Sequence, residues 1–149
     1  MITTRRATTK DIDAVSELFN EYRMFYQQGT DLALAHEFIC ERLENQESVI
    51  FIALNGSEEV LGFTQLYPNF SSISAKRTWT LNDLYVLPSA RRQGVAKSLL
   101  NAAKDHALET RAKGLALETA EDNLQAQSLY ESFGYTRSTG FFSYFLSTD

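Results

Sequence analysis

The chain has 149 residues, a mass of 16.9 kDa and a formal net charge of −5. That length suits one domain with a self-sufficient core, and a composition 44% hydrophobic and 22% charged excludes disordered and collagen-like folds. The acidic balance argues against nonspecific binding to nucleic acid or to an anionic membrane, and agrees with a cationic substrate.

The first predicted element is a short strand over residues 2–7. Thr8 or Thr9 then caps a helix, with Asp11 in its first turn. Ile12, Val15, Leu18, Phe19, Tyr22, Phe25 and Tyr26 recur at helical spacing and carry that helix to about Gln28. Gly29 breaks it, and Thr30 or Asp31 opens a second helix that reaches about Leu43. Residues 49–54 are nearly all apolar and β-branched or aromatic, as a buried central strand requires. Asn55-Gly56-Ser57 makes a turn, and residues 60–67 return as the hairpin partner. Residues 68–75 read as a polar loop, 77–87 as a long strand and 88–93 as a turn.

From Gly94 a helix runs to about Ala112, with Val95, Leu99, Ala103 and Ala107 facing inward. Residues 115–119 form the next strand. A helix over residues 123–133 ends at Gly134, and residues 135–138 and 141–147 form two last strands. The order β-α-α-β-β-β-α-β-α-β-β implies an α/β class: a mixed, mostly antiparallel sheet of about seven strands with four helices, in a single domain over residues 1–149. Phe141, Phe142, Tyr144 and Phe145 place aromatics on both faces of the last strand, which suggests burial in a homodimer.

Several chemistries lack their motif. No two glycines stand at the spacing of a dinucleotide-binding fingerprint, and Gly94 to Ser98 lacks the glycine that precedes the lysine of a P-loop. His36-Glu37-Phe38-Ile39-Cys40 has cysteine where a zinc helix needs histidine, so no metal site is expected. The lone Cys40 excludes an intramolecular disulfide, which points to the reducing cytoplasm. No apolar run approaches the ~18 residues of a membrane span, and Met1 to Arg6 contain no stretch that reads as a signal peptide.

One stretch carries chemistry. Leu84-Tyr85-Val86 leads through Pro88 into the basic turn Arg91-Arg92-Gln93-Gly94, which opens a helix at Val95-Ala96. Backbone N–H groups at a helix start bind anions, and small residues there let a phosphate approach closely. Arginines add charge-assisted donors. On this physics a pyrophosphate-like anion and a plain strand–helix joint with solvated arginines fit equally.

Arg91-x-x-Gly94-x-Ala96 resembles the acyl-CoA signature of the GNAT superfamily of N-acetyltransferases, R/Q-x-x-G-x-G/A. A second stretch, Asn123 to Tyr135, resembles that family's N-x-x-A-x-x-L-Y-x-x-x-G-[FYW] element. The element order also matches the family fold, so the resemblance spans essentially the whole chain. Phe63 to Pro68 looks closest to the branch of protein, histone and polyamine acetyltransferases.

The resemblance implies transfer of an acetyl group from acetyl-CoA to a primary amine of a small molecule or protein, by direct attack. It implies a pyrophosphate site at Arg91, Arg92, Gln93, Gly94, Val95 and Ala96, and pairing of pantetheine with backbone groups of Leu84 and Val86. Asn123 matches the family asparagine that meets the pantetheine arm; as a residue it equally suits a helix N-cap. Tyr130 matches the usual general acid, which protonates the departing thiolate. The family's proton acceptor is often a glutamate, and here Asn82 stands in its place.

Strand neighbours face opposite sides, so Asp83 does not simply replace that glutamate; it stands either as a base acting through water or as a structural residue. Tyr22, Phe25, Tyr26, Tyr67 and Phe70 are candidates to line an acceptor pocket, and the first three also fit a core stripe. The alternative to an enzyme is a non-catalytic acyl-CoA sensor with the same fold.

Overall fold

A computed structural model describes residues 1–149. Two compact units divide the chain, Met1–Glu118 and Thr119–Asp149. The first contains strands β1 (Thr3–Arg6), β2 (Val49–Leu54), β3 (Val60–Ser71), β4 (Lys76–Val86) and β5 (Leu115–Ala116), and helices α1 (Ile12–Phe25), α2 (Leu32–Glu44) and α3 (Val95–Glu109). The sheet order is β1-β2-β3-β4-β5, antiparallel except for the parallel β4–β5 pair. No helix is long and apolar enough to cross a membrane.

Local chemistry sets the boundaries. Thr8 and Asp11 form a reciprocal capping box ahead of α1, satisfying two donors that a helix start leaves open. Asp31 caps α2 by accepting from Leu34 N at 3.0 Å. Helix α1 stops at Phe25, three residues before the expected Gln28, because Gln27 turns left-handed at φ +67°. Asn55 closes the β2–β3 turn, its Oδ1 accepting from the N–H of Ser57 and Glu59.

Strand alternation sorts the core into two layers. Ile50 and Ile52 pack with Val15, Leu18, Phe19, Ile39 and Phe63 beneath α1 and α2. Ala53, with Phe51 beside it, packs with Ala90, Val95 and Leu99 beneath α3. All the residues of that first group are buried, and each such side chain contributes about 1.5–3 kcal/mol relative to exposure.

Three expectations change. Residues 68–71 belong to β3 rather than to a loop: Pro68 lies opposite Trp79 and Phe70 opposite Arg77, with the Arg77 guanidinium 4.6 Å above the Phe70 ring. The core stripe of α1 ends at Tyr22; Phe25 and Tyr26 are exposed. The sheet has five strands, not about seven.

The second unit holds α4 (Leu124–Ser132), which Asn123 caps through Ala126 N at 3.2 Å. Beyond Tyr135 the chain forms no ladder. The physical reason is that a strand needs a ladder partner, and within this unit residues 135–138 and 141–147 pair with none.

Candidate active site

The strand β4 carries the first half of the site, and its geometry turns on one irregularity. Gln65 pairs with Asp83, yet the next residue of β3, Leu66, pairs with Leu81. Asn82 is therefore the extra residue of a β-bulge, and a bulge reverses which face the following side chains take. Two aromatics record the reversal. Trp79 lies 4.8 Å from the His106 ring of α3, whereas Tyr85, six positions on, packs with the α1–α2 core. Strict alternation would put both on one face.

The bulge overturns the expectation that Asn82 and Asp83 point apart. Asn82 Nδ2 donates to Asp83 Oδ1 at 2.8 Å. Asp83 is 1% exposed and sits at the end of a buried polar chain. Ser48 Oγ donates to Gln65 Oε1 at 2.7 Å, and Gln65 Nε2 donates to Asp83 Oδ2 at 2.7 Å. Burial pushes the Asp83 carboxyl up to about 6, against the pull of the Asn82 and Gln65 hydrogen bonds.

The neighbouring Tyr67 hydroxyl is held well above its ordinary value by burial and then by the Asp83 charge. Tyr22 reaches from α1 and donates its hydroxyl to the Asn82 carbonyl at 3.1 Å. A carboxyl poised near neutrality beside a bulge, with hydroxyls around it, has the properties of a proton acceptor.

The second half of the site is the turn after β4. Pro88 opens one 3-10 turn, Pro88–Ala90, for which its fixed φ is suited. Arg92 and Gly94 then take left-handed conformations, φ +63° and +83°, before α3 begins. No side chain caps α3. The N–H groups of its first turn thus remain donors, with the positive end of the helix dipole behind them.

Only glycine adopts φ +83° at no steric penalty, and a Cβ placed there would meet nothing within 4 Å, so the space over the turn is open. Arg91, Arg92, Gln93 and Gly94 are exposed and Ala96 is half-buried, while the Val95 side chain is an anchor in the α3 core. Arg91 Nε donates to the Val86 carbonyl at 3.1 Å and ties the turn to the strand.

Leu84 and Val86 play two parts. Their side chains pack on the α3 core. Their backbone groups face the other way from β3: Leu87 N donates to Leu61 O at 2.9 Å, and alternation along the ladder turns Leu84 and Val86 outward. Pairing of β4 with β5 ends at Thr80 and Ala116. Beyond that point this row has no strand partner, the Val86 carbonyl accepting only from the Arg91 side chain, which is the condition for adding an extended ligand as a strand. Of the aromatic candidates, Tyr22 and Tyr67 face the Asp83 end of β4, whereas Phe25, Tyr26 and Phe70 are largely exposed.

In the second unit, Asn123 and Tyr130 share α4. Asn123 uses its Oδ1 for the cap, which leaves its Nδ2 as a donor. Tyr130 is half-buried and meets the Tyr135 ring edge-on at 5.8 Å. Burial, with the Tyr130 hydroxyl next, pushes the Tyr135 hydroxyl up to about 12.

Sequence reading missed Gln65 and Ser48. The only local signal was a pair of polar side chains in strongly apolar strand surroundings, Ser48 beside residues 49–54 and Gln65 within Phe63 to Leu66.

Residues 12–135 match the acetyltransferase (GNAT) family. An uncharacterized N-acetyltransferase of Bacillus subtilis is 52% identical over 143 residues, covering 96% of this chain and 95% of the relative. A crystal structure of a probable acetyltransferase is 44% identical, with a TM-score of 0.93 over 98% of this chain and 97% of that one. An aminoglycoside acetyltransferase solved with sisomicin shares the fold, at 17% identity, a TM-score of 0.84 and coverage of 99% and 97%.

Proposed function

The chain belongs to the GNAT acetyltransferase family, and on that premise we propose that it transfers an acetyl group from acetyl-CoA to a primary amine by direct attack. The observation that carries the reading is the buried Asp83 carboxyl at the β4 bulge, in line along the strand with the open backbone of Leu84 and Val86 and with the basic turn. The family match runs over both units, which supports reading residues 1–149 as one catalytic domain. We also read the protein as cytoplasmic and homodimeric.

Acetyl-CoA supplies the activated thioester, and the residues present fit it. The α3 start and the side chains of Arg91, Arg92 and Gln93 hold the pyrophosphate; Gly94 and Ala96 keep the approach clear. The outward groups of Leu84 and Val86 align the pantetheine; Asn123 stands at the position of the family asparagine that meets the pantetheine arm. A backbone N–H of β4 stabilises charge on the carbonyl oxygen. Asp83 accepts the proton of the attacking ammonium through water, held in place by Gln65 and Asn82. Tyr130, at the position of the family's usual general acid, is the residue assigned to protonate the departing thiolate.

The buried Asp83 carboxyl at the bulge, with Tyr22 and Tyr67 beside it, favours an enzyme over a sensor.

Acetyl-CoA at one hundred times its dissociation constant stabilises a fold that alone binds it by about 2.7 kcal/mol, roughly a 5–10 °C rise in melting temperature at this size. Gly94→Glu abolishes that rise, because a side chain and a negative charge enter the pyrophosphate space. Gly94→Ala carries the same backbone strain without the charge and keeps most of it. Thermal melts of the three proteins with and without acetyl-CoA check this; an undiminished rise in Gly94→Glu places the anion elsewhere.

A further inference from the structure

Thr64 is fully buried in β3, with Phe63 before it and Leu66 two places on. Valine has the same shape and suits a buried strand without a hydroxyl that must be satisfied. The Thr64 hydroxyl finds its partner on the next strand: Oγ1 donates to the Asp83 carbonyl at 2.8 Å. Thr64 itself lies opposite Leu84. These residues all belong to the unit Met1–Glu118.

That bond falls where the ladder is weakest. The Asn82 bulge sets two residues of β4 against one of β3, which disrupts pairing locally. Both carbonyls at the bulge are met by hydroxyls, that of Asn82 by Tyr22 at 3.1 Å and that of Asp83 by Thr64. The peptide between Asp83 and Leu84 is trans, so its carbonyl and its N–H point in opposite directions. A carbonyl turned towards Thr64 on β3 therefore sends the Leu84 N–H away from β3. There it joins the row of β4 that lies beyond the pairing with β5. The hydroxyl thus fixes the direction of an N–H that it does not touch.

We propose that Thr64 is a positioning residue that aims the Leu84 N–H at the carbonyl oxygen of the bound thioester. The inference rests on the acetyl-transfer reading above and deepens it, naming the N–H that meets the developing charge and the side chain that orients it. A donor of this kind acts by being held in direction before the reaction begins. Thr64 works through the backbone of Asp83, whereas Gln65 and Asn82 hold its carboxyl. The two effects therefore separate in a pH profile.

Thr64→Val is expected to lower kcat roughly 10- to 100-fold, the scale of a small misplacement at a reacting centre. The KM for acetyl-CoA changes little, because the contact strengthens as charge develops on the oxygen. Thr64→Ser returns the hydroxyl and most of the rate. The acid limb that belongs to Asp83 stays at the same pH in all three proteins. With acetyl-CoA carrying 13C at the thioester carbonyl, the infrared carbonyl stretch of the bound ligand lies lower in the wild type and in Thr64→Ser than in Thr64→Val. In the wild type, the Leu84 amide proton shifts with acetyl-CoA and not with CoA, which lacks that carbonyl.

Full kcat per folded molecule in Thr64→Val, with a lower melting temperature alone, makes Thr64 structural and overturns the proposal. An acid limb that moves does so too, since it places the effect on the Asp83 carboxyl, as does a thioester stretch that is the same in wild type and Thr64→Val. Equal Leu84 shifts with CoA and acetyl-CoA overturn it even where Thr64→Val does not fold. Wild-type protein without amine-dependent thiol release sinks the acetyl-transfer reading and this inference with it; wild-type release matched by Thr64→Val sinks this inference alone.

Discussion

Asp83→Asn is expected to reduce kcat by roughly 10²–10⁴-fold near neutral pH, the usual range for a positioned proton acceptor, without lowering the melting temperature. The two halves of this result come from one cause. Burial raises the folded-state value of Asp83 to about 6, above its unfolded value near 3.9. A carboxyl raised in this way adds stability that is complete below the unfolded value and is lost as pH rises through about 6. At pH 8 the ionised group therefore costs on the order of 3 kcal/mol.

Asparagine keeps the shape and removes the charge; its new N–H₂ group is met by turning the Gln65 amide round, with the Ser48 hydroxyl then accepting instead of donating, so the variant melts at or above the wild type at pH 8. Activity shows the opposite sign. In the wild type kcat/KM falls as pH drops below about 6; in the variant this acid limb disappears and only the deprotonation of the acceptor amine remains, with partial recovery at high pH. Gln65→Leu is the companion. It removes a donor that pulls Asp83 down, so the acid limb moves upward, whereas a purely structural Gln65 leaves it in place. Melting curves at pH 5 and pH 8 with pH–rate profiles check both; a variant that loses stability at pH 8 and keeps its acid limb makes Asp83 structural.

Tyr130→Phe is expected to lower kcat and kcat/KM together by roughly 10²–10⁴-fold, with acetyl-CoA binding unchanged. The ring keeps its edge-on contact with Tyr135, so α4 retains its packing and only the hydroxyl is removed. An interaction made in the transition state alone produces this pattern; one made equally to bound substrate raises KM and spares kcat. Steady-state kinetics alongside calorimetric titration with acetyl-CoA separate the two. Full kcat in Tyr130→Phe would mean that the thiolate leaves without a proton donor.

Elements whose signals are local were legible in the sequence. The apolar run of β2 and the Asp31 cap of α2 stand where residue type and period put them, because propensity and capping act over a few neighbours. The basic turn before α3 was legible for the same reason. What failed depends on pairing. The extension of β3 through Pro68 to Ser71 is held by cross-strand partners on β4, not by its own polar composition.

The bulge at Asn82 is a property of two strands in register, and no single-strand period announces it. It reverses the face of Asp83 and so decides the chemistry of the site. The chain from Ser48 through Gln65 to Asp83 joins residues 17 and 18 positions apart, beyond any local pattern. The two last strands expected over residues 135–138 and 141–147 are not formed, because apolar composition alone makes no strand without another that offers it a ladder.

The central claim is that this chain moves an acetyl group from acetyl-CoA to an amine with Asp83 taking the proton. The most direct measurement is release of free CoA thiol from acetyl-CoA by the wild-type protein over a panel of primary amines, from pH 5 to pH 9. The account predicts amine-dependent release with an acid limb near 6 that is absent in Asp83→Asn. Binding of acetyl-CoA with no amine-dependent release at any pH would contradict it and identify the protein as an acyl-CoA sensor.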